Sequence, residues 1–193
     1  MTVTTVSWHT RFMSTRKEEL LNGAVSYLLE NGLANVSLRP MAAQLGTSPR
    51  ILMFHFKSKE RLLQEVMQAL QARLQSSFAR VSKRERKMTP PLKLFWAWAT
   101  EKRNLPYLRL LYEAQIIATQ NPKVYGLYLQ KVSLDWQHVV LETLSPSLRS
   151  KDLATLCIAV FDGLFLEMII TGERSRLTNA LDRFIALASS AKR

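Results

Sequence analysis

The sequence has few of the residues that break helices, and few of those that hold a small fold together covalently or through metal. Its 193 residues include six glycines, seven prolines and one cysteine, Cys157. A single cysteine excludes an intrachain disulfide framework, and the scattered histidines His9, His55 and His138 lack metal-ligand spacing. Apolar and polar residues rarely alternate as strands require, while long stretches rich in Leu, Ala, Glu, Gln, Lys and Arg favour an all-α fold.

Catalytic signatures are also missing. The chain contains no Gly-rich phosphate loop, no nucleophile elbow and no zinc-protease motif. Pairs of carboxylates occur at helical spacing, but without the signature of an apolar pocket around them. We therefore expect a protein that is not an enzyme and that has no catalytic residues, no metal site and no cofactor.

Positive charge is what the sequence has in excess. Its 27 Lys and Arg residues outnumber its 15 Asp and Glu residues, and the isoelectric point is about 10.2. Residues 1–88 hold 14 basic and 6 acidic residues, whereas residues 89–193 hold 13 and 9. This balance favours an anionic partner, with nucleic acid first and an anionic membrane surface second.

One apolar stretch, Leu153 to Ile170, is long enough to raise the membrane alternative. Asp162 and Glu167 interrupt it, which argues against a membrane span. The N-terminus lacks the basic flank and apolar run of a signal peptide. We therefore expect a cytoplasmic protein without a membrane partner.

Serine and glycine mark the ends of the predicted N-terminal helices. A first helix is predicted from near Ser14, after a loose arm over residues 1–13. Ser37 is suited to cap a second helix that Gly46 ends, and Ser48 is suited to cap a short third helix. Two short helices joined by a glycine turn are the signature of a helix-turn-helix. Leu52 and Phe56 are predicted to be the core side chains that hold the third helix in place.

Beyond this motif the pattern predicts a long fourth helix and then a second domain. The fourth helix covers about residues 58–82 and leads into the charged run 83–87, which Pro90 and Pro91 follow. We therefore predict a helix-turn-helix domain over residues 14–62 and a C-terminal helical domain over residues 83–193, with about nine helices in all. The further helices are predicted at about 91–103, 105–119, 122–144, 150–171 and 174–190.

The helix-turn-helix segment is specific enough to resemble a known family. It reads Ser37-Leu-Arg-Pro-Met-Ala-Ala-Gln-Leu-Gly46, then Thr47-Ser-Pro-Arg-Ile-Leu-Met-Phe-His-Phe56, then Lys57-Ser-Lys-Glu-Arg-Leu-Leu63. This segment resembles the DNA-binding domain of the TetR family, above all in His55-Phe56 followed by Ser58-Lys59-Glu60. The resemblance covers about residues 15–65. Beyond them, only the length, the helix count and Asp162-Gly163 in the penultimate helix agree.

The resemblance implies a bacterial transcription regulator that binds operator DNA as a homodimer in the nucleoid. Regulators of this family are usually repressors, released from a palindromic operator by a small molecule that binds the C-terminal domain. The many aromatic residues of that domain favour an apolar or aromatic effector. The alternative is a helix-turn-helix protein repurposed to bind another protein or to coat DNA without an operator.

The resemblance also gives roles to the side chains of the motif. Arg39 lies at the start of the second helix, where the resemblance implies an arginine that reads a guanine. Arg50 lies near the exposed start of the third helix, and arginine matches guanine O6 and N7 with two hydrogen bonds. The family usually has tyrosine at the position of Met53, with its ring on a DNA phosphate, and Met53 lacks that ring. The expected DNA contacts are Ser37, Arg39, Ser48, Pro49, Arg50, Ile51, Met53, Phe54, His55 and Lys59.

Two further surfaces are expected in the C-terminal domain. Its aromatic residues are too many for an economical core, so a ligand pocket is expected, with plain packing as the alternative for each residue. The candidate pocket residues are Tyr112, Gln115, Trp136, Phe161 and Asp162. The last two helices carry apolar stripes that would form a four-helix dimer interface, unless both stripes face the protomer's own core. The candidate interface residues are Leu153, Val160, Leu164, Leu177, Leu181, Phe184 and Ile185.

Overall fold

The computed structural model describes residues 4–34, 36–85, 89–144, 146 and 149–190. Within these residues the chain forms nine α-helices and no strand, so the predicted all-α class is confirmed. The helices are α1 (Thr4–Asn31), α2 (Leu38–Gln44), α3 (Pro49–Phe56), α4 (Lys59–Glu85), α5 (Pro91–Ala99), α6 (Leu105–Gln120), α7 (Pro122–Thr143), α8 (Lys151–Thr171) and α9 (Arg174–Ser190).

Most helices begin and end close to the predicted residues, because their caps are local. Ser150 begins α8, and its Oγ accepts the backbone N–H of Leu153 at 3.1 Å. Gly172 ends the same helix in the left-handed conformation, with φ of +72°. The first helix is the exception, since it begins at Thr4 rather than near Ser14. The prediction of a loose arm is therefore wrong from residue 4 onwards: residues 4–13 contain neither glycine nor proline, so nothing stops the helix extending.

The chain divides into two compact units. Unit 1 consists of Met1–Ala72 and Leu110–Tyr128, and unit 2 consists of Arg73–Arg109 and Leu129–Arg193. This division differs from the predicted boundary at residues 83–91, because part of α6 and the start of α7 belong with the N-terminal helices. Hydrogen bonds between residues far apart in the sequence explain the difference, and a linear pattern does not reveal them.

Two side chains make those long-range bonds in unit 1. The carboxylate of Glu113 on α6 accepts the backbone N–H groups of Leu33 and Ala34, both at 2.8 Å. Gln64 on α4 donates its Nε2 to the carbonyl oxygen of Val124 on α7, at 2.7 Å. Charge-assisted bonds to a carboxylate are among the stronger ones in proteins, so Glu113 fixes the turn after α1.

The core of unit 1 supports α3 from behind. Leu52 and Phe56 are 0% and 1% exposed, so their predicted core role is confirmed. Lys17 on α1 covers the Phe56 ring, with its Nζ 5.3 Å from the ring centroid and 2.8 Å from the Glu65 carboxylate. These contacts fix the inner face of α3 and leave its outer face to solvent.

The core of unit 2 is aromatic. Trp96 and Trp98 on α5 are each 1% exposed, and each indole N–H has a hydroxyl partner. Trp96 donates to Thr178 Oγ1 at 2.9 Å, and Trp98 donates to Ser77 Oγ at 3.2 Å. Burying both indoles with their polar N–H groups satisfied gives this unit a rigid centre.

Candidate DNA-binding surface and effector cavity

The turn between α2 and α3 is a Schellman motif built on Gly46. The N–H of Gly46 donates to the carbonyl of Ala43 at 3.1 Å, and the N–H of Thr47 donates to the carbonyl of Ala42 at 2.9 Å. Gly46 has φ of +62°, a conformation in which a β-carbon would be strained. The chain therefore leaves α2 sharply and enters α3 within a few residues.

The beginning of α3 is fixed by two residues. Ser48 caps the helix, and its Oγ accepts the backbone N–H of Ile51 at 3.3 Å. Pro49 occupies the first helical position, where a missing N–H removes no helical bond. This predicted helix start is confirmed, and it sets which side chains face outwards.

The outer face of α3 exposes apolar and basic side chains together. Ile51 is 42% exposed and Phe54 is 56% exposed, although both are large and apolar. Arg50 is exposed beside them. A DNA major groove offers partners for both kinds of side chain, since guanine O6 and N7 accept from arginine and thymine presents a methyl group.

The surroundings of α3 are strongly basic. Residues 37–61 contain five cationic side chains and one carboxylate, Glu60. Hydrogen bonds from its own backbone N–H and from the Ser58 hydroxyl lower the pKa of Glu60, so this carboxylate stays ionised at the start of α4. The cations are Arg39, Arg50, Lys57, Lys59 and Arg61.

Lys57 is a candidate contact that the sequence reasoning missed. Among the described non-glycine residues it alone has a positive φ, +69°, in the turn between α3 and α4. Its Nζ donates to the carbonyl oxygen of Phe54 at 3.0 Å and lies 5.3 Å from the centroid of the Phe54 ring. The available signal was a charged residue at the end of α3 with no glycine to make the turn.

The predicted DNA contacts come together on α2, α3 and the first turn of α4. Ser37 lies at the N-cap position of α2, but its side chain makes no capping hydrogen bond, so its predicted capping role is wrong. The His55 ring packs edge-on against Phe54, with centroids 5.3 Å apart. The exposed members of the set are Ser37, Arg39, Arg50, Ile51 and Phe54, and the half-buried members are Ser48, Pro49, Met53, His55 and Lys59.

Unit 2 contains an apolar cavity of about 230 Å³. Side chains of α4, α5, α7, α8 and α9 line it, and the aromatic ones are Phe78, Phe95, Trp136 and Phe184. The Phe95 ring touches both Phe78 and Trp136, at centroid distances of 4.7 and 5.5 Å. Cys157 is on the wall, and burial raises the pKa of its thiol, so the thiol is neutral at physiological pH. No charged side chain is among the lining residues.

The predicted pocket residues are scattered rather than assembled at this cavity. Trp136 lies on its wall. Phe161 is 5% exposed and lies behind the wall, with its ring centroid 4.5 Å from that of Phe95. Asp162 follows Phe161 on α8; it is exposed and is not among the residues that line this cavity. Tyr112 and Gln115 belong to unit 1, whereas every lining residue belongs to unit 2.

The predicted interface residues have different positions from those expected. Leu177 and Leu181 are 1% and 0% exposed within unit 2, so they are wrong as interface residues because a partner cannot cover them. The cavity walls include Leu153, Phe184 and Ile185, and the half-buried residues include Val160 and Leu164. The inner face of α9 therefore completes the core and the cavity of its own protomer.

A different face of α8 is exposed and apolar. Leu156, Leu166 and Ile170 are 48%, 52% and 70% exposed. Ala159 and Gly163 lie between them on the same face, and a β-carbon built on Gly163 meets nothing within 4 Å. These five residues, which we name the α8 stripe, follow one another at spacings of three and four.

The comparison with known families agrees with the geometry of the N-terminal helices. Residues 20–66 match the model of bacterial regulatory proteins of the tetR family. They contain all of α2 and α3, the Gly46 turn and the exposed face of α3, so this part of the chain is a helix-turn-helix DNA-binding domain. In this segment the chain is similar to the TetR family of bacterial regulatory proteins.

About nine tenths of the chain is similar in fold to solved structures of putative regulators. It is 17% identical to a putative transcriptional regulator from Pseudomonas aeruginosa PAO1, with a TM-score of 0.72 over 92% of this chain and 91% of that one. A putative TetR-family regulator from Rhodococcus sp. is 18% identical to this chain, with a TM-score of 0.66 over 88% of this chain and 97% of that one. A putative regulator from Saccharomonospora viridis, solved with choline, is 21% identical to this chain. Its TM-score is 0.69 over 90% of this chain and 96% of that one. No curated protein matches the chain.

Proposed function

We propose that this protein is a homodimeric transcription regulator that reads a symmetric operator through α3 and leaves it when an apolar or aromatic effector binds. The observation that carries the proposal is the outer face of α3. Arg50, Ile51 and Phe54 are exposed there, next to basic residues, within a segment that matches a family of regulatory proteins. A repressor is the form of regulator that we propose.

The proposed DNA contacts comprise residues that recognise bases and residues that bind phosphates. Arg50 on α3 and Arg39 on α2 read guanines, while Ile51 and Phe54 contact thymine methyl groups. Lys57 and Lys59 bind phosphates and set the position of α3 on the duplex. Met53 offers only apolar contact, because it has neither the ring nor the hydroxyl of a tyrosine.

The α8 stripe is the proposed centre of the dimer interface. One helix-turn-helix offers too little contact for operator affinity, so two copies related by a two-fold axis are needed. Spacings of three and four residues suit helix-on-helix packing, and Gly163 permits a close approach of the second helix. On α9, Leu187 is also a large apolar residue that is exposed, at 59%.

By length and composition α8 could also cross a membrane, and only 28% of its apolar window is buried in the protomer. Asp162 is exposed on this helix, and Glu167 is half-buried. Glu167 accepts a hydrogen bond from Arg176 on α9 at 2.8 Å. A carboxylate facing lipid is costly, whereas the rim of a dimer interface keeps it in water. The second copy of the chain is therefore the better partner for α8.

The apolar cavity is the proposed effector site. Its walls carry no charge to pair with an ion, so we propose an uncharged effector with an apolar or aromatic body. The regulator from Saccharomonospora viridis was solved with choline, and the multidrug binding protein EbrR, 18–20% identical to this chain, was solved with ethidium and with imidazole. Those ligands belong to those proteins, and they illustrate that this fold holds small organic molecules.

A gel-shift titration with the DNA flanking the protein's own gene tests the proposed function. We expect a discrete complex that survives an excess of random competitor duplex. Replacing Arg183, an exposed cation on α9, with Ala serves as the control and should leave the complex intact. If random competitor duplex displaces the labelled DNA in proportion to its mass, the proposal is contradicted. That result would support the alternative of DNA coating without an operator.

A further inference from the structure

Unit 2 contains a second cavity whose chemistry is opposite to that of the apolar one. It has a volume of about 350 Å³ and lies between α4 and the segment that joins α5 to α6. Three guanidinium groups line it, from Arg73, Arg80 and Arg103. The other polar lining residues are Ser77, Asn104 and Tyr107.

The polar wall of this cavity is fixed from behind by Trp98, which is buried. The Trp98 indole N–H donates to Ser77 Oγ at 3.2 Å, and Asn104 donates its Nδ2 to the Trp98 carbonyl oxygen at 2.7 Å. Asn104 itself is only 6% exposed. Ser77 and Asn104 are therefore held in place before any ligand arrives, which is the arrangement that favours binding.

Basic residues predominate in the segments around this cavity. Residues 73–84 and 101–109 contain seven basic side chains and one acidic side chain, Glu101. Glu101 pairs with Arg103 at 2.6 Å, and that contact uses Nε and not the terminal nitrogens of the guanidinium. Arg80 is exposed and has no hydrogen bond or ion pair with the described part of the chain. The lining residues themselves include three arginines and no carboxylate.

We propose that this second cavity is a binding site for a small phosphorylated ligand of the phosphate-monoester class. A phosphate monoester carries a charge of about −1.5 to −2 at neutral pH, which suits a wall lined by three arginines. Guanidinium groups bind its oxygens in pairs, with stronger hydrogen bonds than neutral donors make. A monocarboxylate carries a smaller negative charge and fewer acceptor oxygens. The site is separate from the apolar effector cavity and does not depend on it.

Isothermal titration of the full-length protein, without DNA and at constant ionic strength, tests the site. The probes are phenyl phosphate, inorganic phosphate and acetate. We expect saturable binding of one phenyl phosphate or one phosphate per chain, with acetate at least tenfold weaker. Saturation by inorganic phosphate as tightly as by phenyl phosphate would identify free phosphate as the source of the dianion, and tighter binding of phenyl phosphate would identify an ester. Absence of saturable binding by either would overturn the proposal.

Two matched double variants separate the site from general electrostatics. Arg80→Gln with Arg103→Gln removes two lining cations whose side chains are exposed. Lys102→Gln with Arg109→Gln removes the same charge from the same region without touching the wall. The first variant should bind phenyl phosphate at least tenfold more weakly, and the second should stay within twofold of the original. Equal losses in both variants would overturn the site.

Random duplex DNA provides the third comparison. We expect both double variants to bind it equally, because each loses two positive charges. A specific loss of DNA binding in Arg80→Gln with Arg103→Gln, without loss of phenyl phosphate binding, would show that these arginines contact a nucleic-acid backbone instead. Circular dichroism of each variant checks that the helical content is unchanged.

Discussion

Helices α3 and α8 both expose large apolar side chains, yet their surroundings suit different partners. On α3, Ile51 and Phe54 lie among cations, and the helix is eight residues long. On α8, Leu156, Leu166 and Ile170 follow one face of a 21-residue helix whose charged residues are few. Exposed apolar area alone does not identify a partner. The charge around the apolar area and the length of the helix are more informative, and on these grounds we propose DNA as the partner of α3 and a second copy of the chain as the partner of α8.

The largest effect is expected from breaking the α8 stripe. Leu166→Glu together with Ile170→Glu puts two charges where the proposed partner helix packs, so the protein should become monomeric. Operator affinity should then fall by about 10²- to 10⁴-fold, because the two half-sites no longer bind as one unit. Sedimentation gives the oligomeric state, and titration of the operator gives the affinity.

The control for this change is Leu127→Glu on α7, which alters a leucine that is 84% exposed. It should leave both the mass in solution and the operator affinity unchanged. A folded double variant of α8 that still sediments as a dimer would place the interface elsewhere. Leu181 is unsuitable for this test because it is fully buried, so Leu181→Glu would disrupt the protomer itself.

A smaller but more selective effect is expected on α3. Arg50→Ala should cost about 1–3 kcal/mol on the operator, since one bidentate contact to guanine is lost. Binding to random duplex should change much less, because no base is read there. Fluorescence anisotropy with both duplexes measures the two losses. Equal losses would mean that Arg50 contacts only phosphate, and the claim that α3 reads bases through it would be wrong.

A substitution in the apolar cavity should change binding of the proposed effector without changing DNA binding. Val139→Trp places a bulky ring into a cavity of about 230 Å³ from its wall. Binding of the neutral probe N-phenyl-1-naphthylamine should weaken at least tenfold, because the space is filled, while operator binding should stay within twofold. Probe fluorescence and operator titration measure the two. Unchanged probe binding would mean that the probe occupies another site.

The smallest effect on DNA affinity is expected from Lys59, a proposed phosphate contact. Lys59→Ala should weaken binding to every duplex by a similar factor and lower the slope of log affinity against log salt by about one. Titrations at several salt concentrations give the slope. Lys83→Ala, which changes an exposed cation near the end of α4, should leave the slope unchanged. If the two variants behave alike, Lys59 is not in the interface.

The same two helices also show how far the sequence can predict this structure. Residues close together in the sequence determine the fold of the α2–α3 segment. Gly46 makes the turn, and Ser48 and Pro49 begin α3. Leu52 and Phe56 are buried and hold α3 in place. Each of these residues acts on neighbours within about five positions. The sequence was therefore sufficient to predict which residues of α3 are buried and which helix is presented to solvent.

The faces of α8 and α9 could not be predicted in the same way. Helix α8 is apolar on nearly every side, so its periodicity does not say which side meets the core. Leu181 and Leu187 are chemically identical, but Leu181 is fully buried and Leu187 is 59% exposed. The difference comes from where α5 and α8 pack against α9. Likewise, the bonds from Glu113 to Leu33 and Ala34 join residues about eighty positions apart, and no local pattern predicts them.

Selection of bound duplexes from a random pool tests whether α3 and α8 act together as proposed. Two copies joined through α8, each reading DNA through α3, should enrich one sequence with two inverted half-sites. The centres of those half-sites should lie about one helical turn apart, or a multiple of it. Enrichment of a single unsymmetric half-site would contradict the dimer, and a pool without any enriched sequence would contradict base reading by α3.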